Sequence, residues 1–104
     1  LFINNFNNSY CKKPWYQMDI KNPDLVLIDG RYRVASALYS IFKNENHDCS
    51  YIFDDYLNRP FYHIIEKYID ITEVCDNTII FKKSHKSNLN EISELINIFF
   101  NDYR

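Results

Sequence analysis

Glycine is nearly absent from this chain, because Gly30 is the only one among 104 residues. A phosphate-binding loop needs several glycines at fixed spacing, so the sequence excludes a Gly-rich cofactor loop within these residues. Cysteine is also scarce. Cys11, Cys49 and Cys75 form no C-x-x-C pair, which argues against a disulfide scaffold and against a zinc knuckle. We therefore expect buried free thiols in a reducing compartment, the cytoplasm.

Basic charge and long apolar runs are lacking as well. The chain has 12 basic and 14 acidic residues and a formal net charge of −2, which gives no broad surface for a nucleic-acid partner. No apolar run approaches the roughly 20 residues of a membrane-spanning helix, so no membrane partner is expected. A hydrophobic content of 46% suffices for one core. A length of 104 residues predicts a single domain or a piece of one, and the start at leucine rather than methionine is typical of a processed or truncated product.

A strand, a helix and a second strand follow an N-terminal arm. Residues 1–23 show no sustained period and are predicted as an arm or loop. The run Asp24-Leu-Val-Leu-Ile-Asp29-Gly30 is typical of a strand that is covered on both faces. Apolar residues at helical spacing predict a helix over residues 31–44, and a second apolar strand is predicted over residues 49–55. This βαβ order favours two parallel strands with a right-handed crossover.

The remaining pattern predicts a helix from Pro60, a β-hairpin around residues 76–77 and a C-terminal helix that begins near Asn88. Asn88 and Glu91 have the spacing of a capping box. We divide the chain into an arm (residues 1–23), an α/β unit (residues 24–83) and a C-terminal amphipathic helix (residues 84–104). The expected fold class is α/β, a partial Rossmann-like sheet of parallel strands with a C-terminal antiparallel hairpin and an extra helix.

Acidic residues follow both predicted parallel strands. Asp29 ends the first strand, and Asp54 and Asp55 end the second. Ligands bind beyond the carboxyl ends of such strands, and clustered carboxylates suit Mg²⁺, so a metal site is one hypothesis. The structural alternative is that Asp29 serves as a turn residue, Asp54 as a cap and Asp55 as a solvated charge.

The ordered motifs in residues 24–83 resemble the later strands of class I S-adenosylmethionine-dependent methyltransferases. Metal-dependent O-methyltransferases of sugars and small molecules have a D-G turn after the fourth strand and D-D-Y after the fifth, before a terminal hairpin. The matching segments here are Asp29-Gly30 and Asp54-Asp55-Tyr56. The resemblance implies methylation of a small-molecule hydroxyl by S-adenosylmethionine, with Asp29, Asp54 and Asp55 as Mg²⁺ ligands and Asp29 as a catalytic residue.

The chain also departs from that family. Arg31-Tyr32-Arg33 stands where a further acid is common, Asn46-His47-Asp48-Cys49 replaces a P-G-G turn, and the glycine-rich cofactor loop is missing. The methyltransferase function is therefore expected of a complete protein of which this chain is the C-terminal half. The alternative function is a non-catalytic remnant or an interaction module.

Other polar side chains near the predicted edge are candidates for substrate contact. Arg31, Arg33 and Tyr56 are assigned to substrate binding, and His63 is assigned as a general base. Surface ion pairing and a structural histidine are the competing interpretations. Trp15 and Tyr16 are expected to cover exposed sheet. The C-terminal helix is expected to pack in the core, to mediate self-association as a homo-oligomer, or to contact a missing N-terminal half.

Overall fold

The computed structural model describes the strand Phe2–Ile3 and residues 22–102. Cys11, Trp15 and Tyr16 lie outside the described residues, so the predictions for them stay predictions. The elements in chain order are β1 (Phe2–Ile3), β2 (Leu25–Ile28), α1 (Arg33–Lys43), β3 (Ser50–Phe53), a 3₁₀ helix (Pro60–Tyr68), β4 (Ile69–Cys75), β5 (Thr78–Lys83) and α2 (Leu89–Phe99).

The five strands form one mixed sheet in the order β1-β2-β3-β5-β4. Strands β1, β2 and β3 run parallel, and β5 pairs antiparallel with both β3 and β4. The predicted α/β class, the parallel strand pair and the terminal hairpin are confirmed. The prediction of an arm or loop did not include the strand at Phe2–Ile3, because two residues are too few to carry a periodic signal.

Both central helices differ locally from the sequence pattern. Helix α1 begins at Arg33 rather than at residue 31, because Tyr32 takes the left-handed conformation with φ 56°. The helix that begins at Pro60 is a 3₁₀ helix. Its buried side chains are Tyr62, Ile65 and Tyr68, which recur every third residue as a 3₁₀ helix with 3.0 residues per turn requires.

The core lies on one face of the sheet, beneath all the helices that the described residues form. It is built from alternate residues of the three central strands, namely Val26, Ile28, Tyr51, Phe53, Ile79 and Phe81. The helices contribute further fully or nearly fully buried side chains to the same cluster, among them Val34, Leu38, Ile41, Ile65, Ile92 and Ile96. Each large side chain buried in this way contributes roughly 1.5–3 kcal/mol of transfer free energy.

Helix α2 packs against the common core of the domain. Ile92 and Ile96 are buried in the common core, and the Asn88 side chain accepts hydrogen bonds from the main-chain amides of Asn90 and Glu91. The Glu91 carboxylate accepts from Lys67 Nζ at 2.9 Å, which links α2 to the 3₁₀ helix. The predicted cap at Asn88 is thus confirmed. Within residues 22–102, no helix combines the length and the hydrophobicity that a membrane crossing requires.

Candidate functional site

The carboxyl ends of β2 and β3 lie side by side. The register pairs Leu27 with Ile52 and Ile28 with Phe53, so Asp29 and Asp54 follow at the same edge of the sheet. The main-chain amide of Asp54 donates to the carbonyl of Ile28 at 3.4 Å. The sequence prediction that these two aspartates share one edge is confirmed. We call this edge, with Asp29, Gly30, Arg33, Asp54, Asp55 and Thr78, the acidic edge.

Among the described residues, three of the five with positive φ lie at the acidic edge or directly beside it in sequence. Gly30 has φ 122°, and the non-glycine residues Tyr32 and Asp55 have φ 56° and 55°. A left-handed conformation at a bulky residue such as Tyr32 costs about 1–2 kcal/mol, so the surrounding contacts must hold it. Such strain often accompanies functional sites. The two loops that leave β2 and β3 therefore have conformations that the fold imposes.

Arg33 holds those two loops together. Its Nε donates to the carbonyl of Gly30 at 2.8 Å, its Nη1 donates to the carbonyl of Asp54 at 2.7 Å, and its Nη2 lies 3.1 Å from Asp29 Oδ1. The Arg33 side chain is only 12% exposed. The sequence assigned Arg33 to substrate binding, but its guanidinium is directed at the protein, which favours the ion-pairing interpretation. Arg31, assigned the same role, is exposed next to this edge.

The three aspartates have different partners. Asp29 pairs with Arg33, and Asp55 lies 3.9 Å from Arg59 Nη2. Asp54 Oδ1 accepts a hydrogen bond from Thr78 Oγ1 at 2.6 Å. Among the described residues, no group of three or more His, Cys, Asp and Glu side chains is arranged to hold a metal ion. The donor set at the acidic edge therefore does not fit the predicted three-carboxylate Mg²⁺ site.

Thr78 was missed by the sequence analysis. It is the first residue of β5, which runs antiparallel to β3, so it must lie where β3 ends. The preceding turn residue Asn77 accepts main-chain hydrogen bonds from Tyr56 at 2.7 Å and Leu57 at 3.1 Å. The hairpin therefore supports the loop after β3. The antiparallel order of the hairpin was the signal that could have placed Thr78 beside Asp54.

Tyr56 lies in the core rather than at the surface. Its side chain is fully buried, its ring contacts Phe53 edge to face at 5.2 Å, and its hydroxyl donates to Glu66 Oε1 at 3.0 Å. Burial, followed by the hydrogen bond to Glu66, raises the pKa of the Tyr56 phenol far above its usual range. The burial argues against the predicted substrate contact, because a substrate cannot reach a side chain that has no exposed surface.

His63 stacks on Tyr56 and faces protein acceptors with both ring nitrogens. The ring centroids are 4.6 Å apart, Nε2 lies 3.1 Å from the carbonyl of Tyr56, and Nδ1 lies 3.8 Å from Glu66 Oε1. A carbonyl only accepts, so Nε2 must carry a proton in this contact. These contacts support the structural interpretation of His63 more than the predicted role as a general base.

Comparison with known proteins supports a methyltransferase-like fold. No protein-family model matches the chain, and no curated protein sequence matches it. Among solved structures, the fold is similar to a methyltransferase-like protein from Silicibacter pomeroyi DSS-3, with 26% sequence identity and a TM-score of 0.72. The match covers 89% of this chain and 48% of that protein. The chain thus has the fold of a methyltransferase-like protein and spans about half the length of the structure that it matches.

Proposed function

We propose that this chain forms the acceptor-binding half of an S-adenosylmethionine-dependent methyltransferase that methylates a hydroxyl of a sugar or another small molecule. The proposal includes a class I, Rossmann-like arrangement of the complete domain. The observation that carries it is the acidic edge: two parallel neighbouring strands deliver Asp29 and Asp54 to one place, in a fold similar to a methyltransferase-like protein.

Asp54 is the carboxylate that we assign to proton transfer. Its Oδ1 accepts a hydrogen bond from the neutral Thr78 hydroxyl. Its Oδ2 is the atom that we assign to bind the hydroxyl of the methyl acceptor. Asp29 already forms an ion pair with Arg33 and is better placed to orient the acceptor. Asp54 would accept the proton of the acceptor hydroxyl while that oxygen takes the methyl group, which bound S-adenosylmethionine would supply with release of S-adenosylhomocysteine.

S-adenosylmethionine supplies the methyl group in this proposal. The described residues contain no glycine-rich turn for it, since Gly30 is the only glycine of the chain. We therefore assign the cofactor contacts to another part of a complete protein. Because the acidic edge does not fit a three-carboxylate ion site, we derive no step from Mg²⁺.

Transfer of an isotope-labelled methyl group by the complete protein tests this proposal. We expect Asp54→Asn to lower the rate of transfer to small hydroxyl acceptors by about 10²–10⁴-fold, the usual contribution of a positioned acid or base. Asp48→Asn is the matched control, because Asp48 precedes β3 and lies at the opposite end of that strand. Equal rates in the wild type, Asp54→Asn and Asp29→Asn would refute the assignment.

A second candidate function is a non-catalytic interaction module. Two observations favour it. The Arg33 guanidinium donates hydrogen bonds to main-chain carbonyls, and each aspartate of the acidic edge already has a partner within the chain. Such a module would keep the sheet for stability alone. A complete protein that binds S-adenosylmethionine would count against this candidate.

A further inference from the structure

Two histidines lie face to face at the end of the sheet opposite the acidic edge. The rings of His47 and His85 are stacked, with centroids 5.0 Å apart and planes inclined by 17°. Both residues are exposed, so solutes reach their rings from the solvent. They are far apart in the sequence, and no local pattern brings them together. We call His47 and His85 the histidine pair.

The topology of the sheet explains why the two rings meet. His47 lies in the loop before β3, and His85 lies in the turn after β5. Since β5 runs antiparallel to β3, the end of β5 adjoins the start of β3. Lys82 Nζ donates to the carbonyl of Asp48 at 2.6 Å and so ties β5 to the loop that carries His47. The histidine pair is therefore a product of the fold.

Hydrogen bonds fix the backbone on both sides of the pair. In the loop before β3, the main-chain amide of Cys49 donates to the carbonyl of Asn46 at 3.1 Å, and the amide of Asp48 donates to Asn46 Oδ1 at 3.0 Å. In the turn after β5, the amide of Ser87 donates to the carbonyl of Ser84 at 3.2 Å. The fold thus holds both backbones in place, while the exposed imidazoles rotate about their own side-chain bonds.

The ring nitrogens of the pair differ from those of His63. Both nitrogens of His63 face protein acceptors. Among the described residues, no hydrogen bond or ion pair occupies a ring nitrogen of His47 or His85. A neutral imidazole nitrogen of this kind is a ligand for Zn²⁺, Cu²⁺ and Ni²⁺, with a Zn–N distance of about 2.0–2.1 Å. Two nitrogens that share one ion lie at most about 4 Å apart, so the stacked rings need only a small rotation.

We propose that the histidine pair binds one late first-row divalent metal ion, of the Zn²⁺ or Ni²⁺ type, which joins the loop before β3 to the turn after β5. Within the part of the chain that the structure describes, no group of three or more His, Cys, Asp and Glu side chains suits an ion, so water completes the coordination. Mg²⁺ and Ca²⁺ are not bound, because they prefer oxygen ligands. The pair is remote from the acidic edge, and the proposal holds whether or not the protein transfers methyl groups.

Calorimetric titration of Ni²⁺ into the 104-residue chain tests the proposal. Imidazole suits Ni²⁺, whereas thiolates select softer ions, so the exposed Cys75 competes little. The chains compared are the wild type, His47→Ala, His85→Ala and the double variant. Two matched controls are His63→Gln, which removes a histidine outside the pair, and Lys86→Ala, which shortens an exposed side chain next to His85.

We expect one ion per wild-type chain and an affinity at least about tenfold lower in each single variant, because the second imidazole acts at a high effective concentration. The loss in the double variant should be far smaller than the sum of the two single losses, since either alanine already breaks the shared site. Both controls should bind like the wild type. Ni²⁺ should also raise the denaturant midpoint of the wild type, because it binds the folded pair, but not that of the double variant.

Three results would overturn the proposal. The first is wild-type affinity in either single variant, or an equal loss in a control. The second is two ions per chain, of which each alanine removes one, because that result describes two independent histidines. The third is an unchanged wild-type midpoint with Ni²⁺, which needs no variant and leaves the pair as a stacking contact only.

Discussion

The guanidinium of Arg33 donates a 2.7 Å hydrogen bond to the carbonyl of Asp54, 21 residues away in the chain. Since the same side chain also binds the carbonyl of Gly30, a single residue at the start of α1 joins the loops that follow two parallel strands. The position of Asp54 relative to Asp29 therefore depends on Arg33 as well as on the sheet. This dependence explains why a side chain expected to contact substrate is almost completely buried.

Removal of the Arg33 guanidinium should destabilise the fold. We expect Arg33→Met to lower the free energy of unfolding by about 2–3 kcal/mol, because two carbonyls lose a charged donor. Arg59→Met is the control, because Arg59 also pairs with an aspartate four residues before it but is 54% exposed. That exposed pair should contribute less than about 1 kcal/mol. Denaturant midpoints measure both variants, and equal losses would contradict the role given to Arg33.

The Thr78 hydroxyl should be needed to hold Asp54. We expect Thr78→Val to cost about 1–3 kcal/mol, because it leaves a partly buried carboxylate without its donor. Thr78→Ser keeps the hydroxyl and should retain most of the stability. Thermal unfolding of the two variants at neutral pH makes the comparison. A valine variant as stable as the serine variant would show that the 2.6 Å contact contributes nothing.

Tyr56 should behave as a core residue. We expect Tyr56→Phe to cost about 1–2 kcal/mol through the lost bond to Glu66. Tyr56→Ala should cost about 3–5 kcal/mol, because it leaves a cavity in the core. Denaturant unfolding separates the two values. An alanine variant as stable as the wild type would contradict the core position of Tyr56 and favour the predicted substrate contact.

The buried tyrosines should make the stability of the chain depend on pH. Burial raises the pKa of both Tyr51 and Tyr56 in the folded chain. The two phenols contribute fully to the free energy of unfolding below about pH 10, the pKa of tyrosine in the unfolded chain. This contribution is lost as pH rises beyond that value, because the unfolded chain releases the phenol protons first. The free energy of unfolding should therefore fall steeply above about pH 10. Tyr56→Phe should reduce that slope, and an unchanged slope would contradict the prediction.

The two described cysteines should differ in reactivity, because the prediction of buried thiols is confirmed at Cys49 and wrong at Cys75. Burial raises the pKa of the Cys49 thiol, and that side chain has no exposed surface, whereas Cys75 is exposed at the end of β4. We expect an alkylating reagent at pH 8 to modify Cys75 at least about a hundredfold faster than Cys49. Mass analysis of the labelled peptides gives both rates. Similar rates would mean that the segment before β3 opens readily and would contradict the burial of Cys49.

The sequence predicted those parts of the fold that periodicity determines. The apolar runs of β2 and β3, the stripe of α1 and the hairpin around Asp76-Asn77 all lie where the pattern placed them. The 3₁₀ geometry was not predicted, because apolar residues three apart also suit an α-helix. Strand β1 was missed because it has only two residues.

The candidate site was predictable only in part. The shared edge of Asp29 and Asp54 follows from the pairing of parallel strands. The side-chain directions do not follow from any local pattern. Arg33 follows a left-handed Tyr32, a conformation that the residue type does not predict, and Tyr56 lies in a loop whose main-chain amides bind the distant Asn77. Tertiary contacts of this kind are invisible to spacing arguments.

Titration of S-adenosylmethionine into the 104-residue chain and into the complete protein tests the central claim most directly. That claim is that this chain carries the acceptor side of a methyltransferase and lacks the cofactor side. Calorimetry should detect binding to the complete protein and none to the 104-residue chain, with or without Mg²⁺. Binding by the 104-residue chain alone, or no binding by the complete protein, would contradict the account.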